Sequence, residues 1–297
     1  MVSTRTLLGP MRLPFLVLTP TCVLVGVSTA FRSSGRLDWV HVILAFAGAI
    51  AAHISVNVFN EYFDFKSGLD FYTQRTPFSG GSGTLPQNPS AARYALITAL
   101  VTLLITGAIG IYFVLIRGLA LLPLGIFGLI LVSFYTTWFT RNPFVCLIAP
   151  GLGFGPLMVM GADFVLTGKY SWMAFIGSLV PFFLVSDLLL LNQFPDVEAD
   201  RKVGRHHLPI AIGVRSSGLV YCAFLLLAYL TILLGVFFGL FPRLSLMGLL
   251  TAPVAGIVSR AAIKYGGDIP KLMPFMGLNV LVVILTPVLV AAGLFFG

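Results

Sequence analysis

The chain is expected to be an all-α polytopic membrane protein with nine transmembrane helices. Three observations lead there. Of its 297 residues, 58% are hydrophobic and only 9% charged, and the mean hydropathy is +1.01, well above what a soluble core of this size needs. Apolar runs long enough to cross a bilayer, about 20 residues each, recur between short polar breaks. The scarce acids, finally, gather in two polar connections.

The first run, 13–31, contains Pro20 and no convincing small-residue cleavage site, so it reads as a spanning helix and not a removable signal. The others follow at 39–59, 92–116, 119–139, 144–166, 171–191, 216–241, 244–263 and 272–296. Two connections, roughly 60–91 and 192–215, stand out from the short turns, and 1–297 reads as a single transmembrane domain carrying them as motif loops. With nine helices, the N-terminus and the loops after helices 2, 4, 6 and 8 share one face. That face holds about 13 of the 18 Lys and Arg, against about 5 on the other. It is expected to be cytoplasmic, which describes an integral, multi-pass protein of a prokaryotic inner (plasma) membrane with the N-terminus and both motif loops inside. The net charge of +8 then follows from topology and implies no nucleic-acid partner. Cys22, Cys146 and Cys222 stand singly in or near apolar segments, which suggests neither a disulfide framework nor a zinc site.

Of the ten acids, Glu61, Asp64 and Asp70 lie in the first loop and Asp196, Glu198 and Asp200 in the second. Clustered carboxylates repel unless cations or protons offset them. In NQFPDVEADRKVGRHH, Asn192, Asp196 and Asp200 recur at i, i+4 and i+8; on a helical continuation of the sixth run they share one face, drifting about 40° per step. The first loop repeats the pattern with Asn60 and Asp64, then Gly68 and Asp70 where the chain turns. His53 and Asn57 extend that stripe into the membrane, where polar side chains face a bundle interior or a wet cavity. Oxygen ligands without thiolates or an imidazole cluster suit Mg²⁺, which keeps several waters and shares its shell with phosphate. The residues therefore support a diphosphate bound through Mg²⁺ between the two Asn/Asp sets. Interleaved Lys66 and Arg75, and Arg201, Lys202 and Arg205, are candidates to neutralise the remaining phosphate oxygens. The glycine-rich TPFSGGSGTLP, 76–86, is either a lid or N–H donor for phosphate, or a loop that only needs flexibility.

The paired motifs NxxxDxxxGxD (Asn60, Asp64, Gly68, Asp70) and NxxxDxxxD with a following Arg-Lys-x-Gly (Asn192, Asp196, Asp200, Arg201, Lys202, Gly204) resemble the UbiA superfamily of intramembrane prenyltransferases. The similarity spans almost the whole chain, because helix count, loop positions and both motifs agree. DVEADRKVG, FYT at 134–136 and GFGPLMVMG at 153–161 are most similar to the 1,4-dihydroxy-2-naphthoate polyprenyltransferases of menaquinone synthesis and their animal vitamin-K relatives. TTWFTRNPF after Tyr135 and TPFSGGSG in the first loop depart from their pattern and bear on the acceptor. The resemblance implies Mg²⁺ held by Asn60, Asp64, Asp70, Asn192, Asp196 and Asp200, with Asp64 and Asp196 essential to turnover. It implies a polyprenyl diphosphate donor whose allylic C–O bond ionises, and an electron-rich aromatic acceptor that attacks C1 and loses a proton or CO₂. It also implies nine transmembrane helices in a bundle around a central cavity with a cytoplasmic cap made by the two motif loops, and a lateral opening from the membrane lipid for the isoprenoid tail, in a cavity that excludes water from the cation.

Four further residues carry two readings each. Asp187, inside helix 6, holds or deprotonates the acceptor, or else pairs with a cation such as Arg141 or stays protonated. His53 orients the acceptor or is a hydrogen-bonded structural group. Tyr135 contacts the aromatic acceptor or the cation, or is an interfacial tyrosine. Arg141 binds an acceptor carboxylate or only follows the positive-inside bias. Within the superfamily, 4-hydroxybenzoate, homogentisate, haem, chlorophyllide and glycerol phosphate are alternative acceptors that share the metal chemistry. An ion-coupled transporter is the rival from another class; the acids gather at one membrane face, and no inverted repeat is evident.

Overall fold

The computed structural model describes residues 4–297, and the described residues form helices and turns with no strand. The membrane-scale helices are α1 (Leu13–Ser34), α2 (Trp39–Ser67), α3 (Pro89–Arg117), α4 (Leu119–Phe134), α5 (Pro143–Thr167), α6 (Trp172–Asn192), α7 (Val214–Phe237), α8 (Arg243–Tyr265) and α9 (Ile269–Phe296). Among the described residues, eight are long and apolar enough to cross a membrane, and α4 is apolar but shorter. The fourth run was expected to reach 139. Tyr135, Trp138 and Phe139 prolong the apolar pattern while lying in a turn and a short 3-10 segment, because interfacial aromatics extend hydropathy without extending a helix.

Two boundaries near the motifs differ from expectation. Helix α2 does not stop at 59: it starts at the Asp38 cap, which accepts from Val40 N (3.0 Å) and His41 N (3.3 Å), and ends at Gly68 with φ +80°. Polar side chains do not interrupt a helix, whereas a left-handed glycine does, so Asn60, Glu61 and Asp64 ride on its last turns. The second motif, conversely, is not one continuous helix. After α6 the chain turns at 193–196 and resumes as a short helix, Val197–Lys202, because Pro195 lacks an N–H and its ring opposes continuation.

Helix α6 forms the centre, with α5, α7, α9 and α1 packed around it. Contact with α5 depends on small residues. A Cβ on Gly151 would fall 2.3 Å from the Phe182 carbonyl oxygen, and one on Gly155 2.5 Å from that of Ser178. Pro150 precedes, and Pro156 lies within, a π-helical stretch, Gly153–Met160, that faces the cavity described below. Gly151→Ala is expected to cost about 1–3 kcal/mol by overpacking; an unchanged thermal melt in detergent would contradict the close approach. At the opposite end, Asp163 accepts from Thr29 Oγ1 (2.7 Å) and Ser171 Oγ (3.1 Å), tying α5 to α1 and to the start of α6.

Candidate active site

The last turns of α2, the end of α4, the start of α5 and the end of α6 meet at one end of the bundle. There they enclose a cavity lined by Asn60, Asp64, Asp70, Asn192, Asp196 and Asp200, all six candidate metal ligands. His53 and Tyr135 line it as well. The glycine-rich loop supplies Phe78, Ser79, Gly80 and Gly81 to the same wall. That loop is held by a local turn: Thr76 Oγ1 accepts from Phe78 N (3.1 Å) and Ser79 N (2.9 Å), and Gly80, Gly81 and Gly83 take φ of +82°, +71° and +72°.

The other candidates lie elsewhere. Lys66, Arg75, Arg141, Arg201 and Lys202 are exposed and do not line the cavity. Lys66 sits over the Tyr62 ring and Lys202 over that of Tyr72, while Arg201 pairs with the solvated Glu198 at 3.7 Å. Arg75 packs across the glycine-rich loop, where a Cβ on Gly83 would fall 2.0 Å from its Nη1. Asp187 is fully buried, outside the cavity lining, and neither carboxyl oxygen has a hydrogen-bond partner. The expected alternative of an Asp187–Arg141 pair is therefore corrected; the helix places Asp187 inside the bundle and Arg141 at the surface.

Two ion-pair systems organise the site, and their pairings were not foreseen. Arg205 donates through Nη1 to Asp200 Oδ1 at 3.0 Å and through Nη2 to Asp64 Oδ1, which joins the second motif to the first. His207 Nε2 meets the other Asp200 oxygen at 2.9 Å. Burial opposes the Arg205 charge, but Asp64 and Asp200 more than offset it and hold the guanidinium protonated. Glu61, fully buried, accepts from Arg12 Nε (2.7 Å), Ser82 N (2.6 Å) and Ser82 Oγ (2.8 Å). It thereby fastens the N-terminal segment and the glycine-rich loop to α2. The only sequence signal for Arg205 was its place among the loop cations; Gly204, at φ +77°, folds it back so that its N–H meets Asp200 O at 3.1 Å.

Two carboxyl oxygens facing this site, Asp70 Oδ2 and Asp196 Oδ1, are buried without a hydrogen-bond partner. Burial, then the charges of Glu61 and Asp64, push the Asp70 carboxyl up to about 7. Burial, then Asp200, do the same for Asp196, up to about 7. Such oxygens want a cation. Among the described residues no three His, Cys, Asp or Glu converge as a ready metal cage. Mg²⁺ binds through one or two carboxylates plus phosphate and requires no all-protein cage.

An apolar groove between α1, α2, α3, α4 and α5 joins the acidic cavity at His53, Val56, Leu131, Gly153 and Phe154, which line both. His53 is fixed at that junction: its Nδ1 lies 2.7 Å from Thr19 Oγ1 and its ring stands edge-on to Phe154, centroids 4.8 Å apart.

The sequence pattern of the UbiA prenyltransferase family matches residues 19–281. The chain belongs to the UbiA prenyltransferase family. Among UbiA relatives, the UbiA prenyltransferase domain-containing protein 1 of Gallus gallus is 30% identical over 249 residues, covering 82% of this chain and 71% of that protein. The 1,4-dihydroxy-2-naphthoate octaprenyltransferase of Bacillus subtilis is 28% identical over 180 residues, covering 60% of this chain and 56% of that one. The match thus spans little more than half the length of the Bacillus relative. The solved UbiA homolog from Archaeoglobus fulgidus bound to DMAPP and Mg²⁺ superposes with a TM-score of 0.61 at 14% identity, over 96% of this chain and 99% of that one, a likeness of fold.

Proposed function

We propose that the chain transfers a polyprenyl group from a polyprenyl diphosphate to 1,4-dihydroxy-2-naphthoate in menaquinone biosynthesis, with Mg²⁺ and release of diphosphate. The observation that carries the reading is one cavity holding both Asn/Asp motifs, with two partnerless carboxyl oxygens, continuous with an apolar groove. The Archaeoglobus homolog, bound to DMAPP and Mg²⁺, supports the metal and the donor class, and the Bacillus relative supports the acceptor.

Asn60, Asp64, Asp70, Asn192, Asp196 and Asp200 would hold the metal. Bound Mg²⁺ supplies charge that stabilises the departing diphosphate. Arg205, already between Asp64 and Asp200, is placed to turn toward phosphate oxygens when the metal takes those carboxylates. The groove receives the isoprenoid tail and keeps water from C1 as its bond to oxygen loosens. His53, common to groove and acidic cavity, stands where tail and acceptor meet, and Tyr135, in the wall of the acidic cavity, would give its ring to developing positive charge. The exposed cations Lys66, Arg75, Arg201 and Lys202 attract diphosphate toward the mouth; Arg141 is exposed near the same end. Asp187 touches no substrate in this reading and belongs to the core. In this reading the mouth opens to the cytoplasm of a prokaryotic plasma membrane, a side that the bias of Lys and Arg supports, and residues 1–297 act as one domain.

The test is an assay of detergent-purified protein with geranylgeranyl diphosphate and either 1,4-dihydroxy-2-naphthoate or 4-hydroxybenzoate, with Mg²⁺ or EDTA, following product by mass. Mg²⁺-dependent prenylated naphthoate is expected. Product only with 4-hydroxybenzoate would move the acceptor, and no diphosphate release with any pair would return the transporter alternative.

A pH dependence follows from the two raised carboxyls. Their folded pKa values of about 7 lie above the ordinary aspartate range, so the folded state holds protons that the unfolded state has released. Their contribution to stability is full below about pH 4 and is lost as pH rises through about 7. The ligand-free protein is thus expected to melt higher at pH 5 than at pH 8 on their account. Asp196→Asn should shrink that difference; an unchanged difference would show that Asp196 is ionised at neutral pH.

A further inference from the structure

His207 lines the acidic cavity and has no role in the reading above. It is the second of two adjacent histidines with opposite fates: His206 is exposed, whereas His207 is 1% exposed. Its Nε2 donates to Asp200 Oδ2 at 2.9 Å, and its Nδ1, also buried, has no partner. Among the described residues the imidazole therefore makes a single side-chain hydrogen bond, and that bond goes to a motif carboxylate. Burying a polar ring with one nitrogen unpartnered is unfavourable, so the bond that is made needs a reason.

The same bond sets Asp200 apart from other motif aspartates. Asp70 and Asp196 each keep one buried oxygen without a partner. On Asp200 both oxygens are taken, Oδ1 by Arg205 Nη1 at 3.0 Å and Oδ2 by His207. The two donors differ in freedom. Arg205 sits on a long, flexible stem, its side chain is 17% exposed, and Asp64 shares it. The His207 ring turns only about χ1 and χ2, is enclosed, and rides on backbone anchored apart from the short helix that carries Asp200. The N–H of His206 donates to Thr140 O (3.0 Å). The His207 carbonyl oxygen accepts from Ile210 N (3.0 Å) and Ala211 N (3.1 Å), opening the short helix Leu208–Ile212 that packs on α5. Freeing Asp200 for a metal thus means displacing Arg205 from Oδ1, while Oδ2 stays on the imidazole.

We propose that His207 is a positioning residue that restricts Asp200 to one metal-facing oxygen and thereby makes the site select Mg²⁺ over Ca²⁺. The proposal rests on the metal reading above. Mg²⁺ demands a near-ideal octahedron of oxygens, whereas Ca²⁺ takes more ligands in flexible arrangements and often grips both oxygens of one carboxylate. A carboxylate pinned at Oδ2 suits the first and denies the second its two-oxygen grip. Groups that hydrogen-bond a ligand also fix its orientation, and their loss typically weakens metal binding by about 10–100-fold. The effect is geometric and needs no change of protonation at the ring.

The experiment is a titration of the full chain in detergent with Mn²⁺, followed by electron paramagnetic resonance, and displacement of the bound Mn²⁺ by Mg²⁺ or Ca²⁺. The non-hydrolysable diphosphate analogue methylenediphosphonate is present throughout. Wild type is expected to prefer Mg²⁺ to Ca²⁺. His207→Leu should lower Mg²⁺ affinity by about tenfold or more while Ca²⁺ affinity holds or rises, which erases the preference. His207→Gln, whose Nε2 can still donate to Asp200, should restore it. His207→Asn, whose amide falls short of that position, should behave like the leucine variant and carries the test if leucine does not fold. Equal loss of both metals, with the ratio kept, would show a merely structural role and overturn the proposal. So would a wild type that binds Ca²⁺ as tightly as Mg²⁺. The metal reading fails separately: if wild type binds no Mn²⁺, or Asp196→Ala binds it undiminished, the metal site is wrong and the proposal falls with it. Mn²⁺ binding that needs Asp196, with a Mg²⁺/Ca²⁺ ratio indifferent to His207, sinks only the proposal.

Discussion

Alanine at Asp196 is expected to reduce prenyl transfer by about 10²–10³-fold, the usual cost of losing one group that stabilises developing charge, without lowering the melting temperature. The two halves of this expectation share a cause. One Asp196 oxygen is buried with no partner, and burial together with Asp200 already drives the carboxyl toward its neutral form. Removing it sacrifices little in the ligand-free protein and relieves an unfavourable desolvation. Asp64→Ala should abolish turnover as well but melt lower, because Asp64 is one of the two carboxylates compensating the buried Arg205. Activity assays and thermal melts of the two variants give the comparison. An Asp196 variant that keeps near-normal turnover would remove it from the metal site.

Arg205→Ala is expected to be the most destabilising single change at the site, by about 3–5 kcal/mol, the penalty for leaving buried charges without their partner. Here two carboxylates, Asp64 and Asp200, lose one shared cation, and the motifs at the ends of α2 and α6 lose the contact that joins them. Arg205→Lys should recover only part of the loss, since a single ammonium cannot fork between two carboxylates as a guanidinium does. Saturating Mg²⁺ with diphosphate should partly rescue the melt of the alanine variant, because a divalent cation offsets the same carboxylates. A melting curve unchanged by Arg205→Ala would mean that the ion pairs are weak and the site is open to solvent.

Much of the fold was legible in the chain. Apolar runs marked the spans because a helix must satisfy its own backbone in lipid, so hydropathy and length read almost directly as helices. The reading failed where hydropathy and helix geometry part company. Tyr135, Trp138 and Phe139 are apolar enough to prolong a span yet lie past the end of α4, and Asn60, Glu61, Asp64, Lys66 and Ser67 are polar yet helical. In the site, all six Asn and Asp of the motifs were legible from spacing. Five basic residues beside or near them, Lys66, Arg75, Arg141, Arg201 and Lys202, share their loops or end of the bundle and lie outside the cavity, because nearness in sequence carries no information about which way a flexible side chain points.

By itself the sequence determined the class of protein, the places where helices run and the two motifs that must meet, since these depend on composition and on short-range period. Which charges pair was decided only by the tertiary structure. Gly204 turns Arg205 back onto Asp200 and across to Asp64, Gly68 ends α2 so that Asp70 faces the same cavity, and Glu61 catches Arg12 and Ser82 from segments far from one another in the chain. Ion pairs act over a few ångströms, and those separations are set by where the backbone turns and which helices pack, so a linear pattern of charges leaves the pairing open.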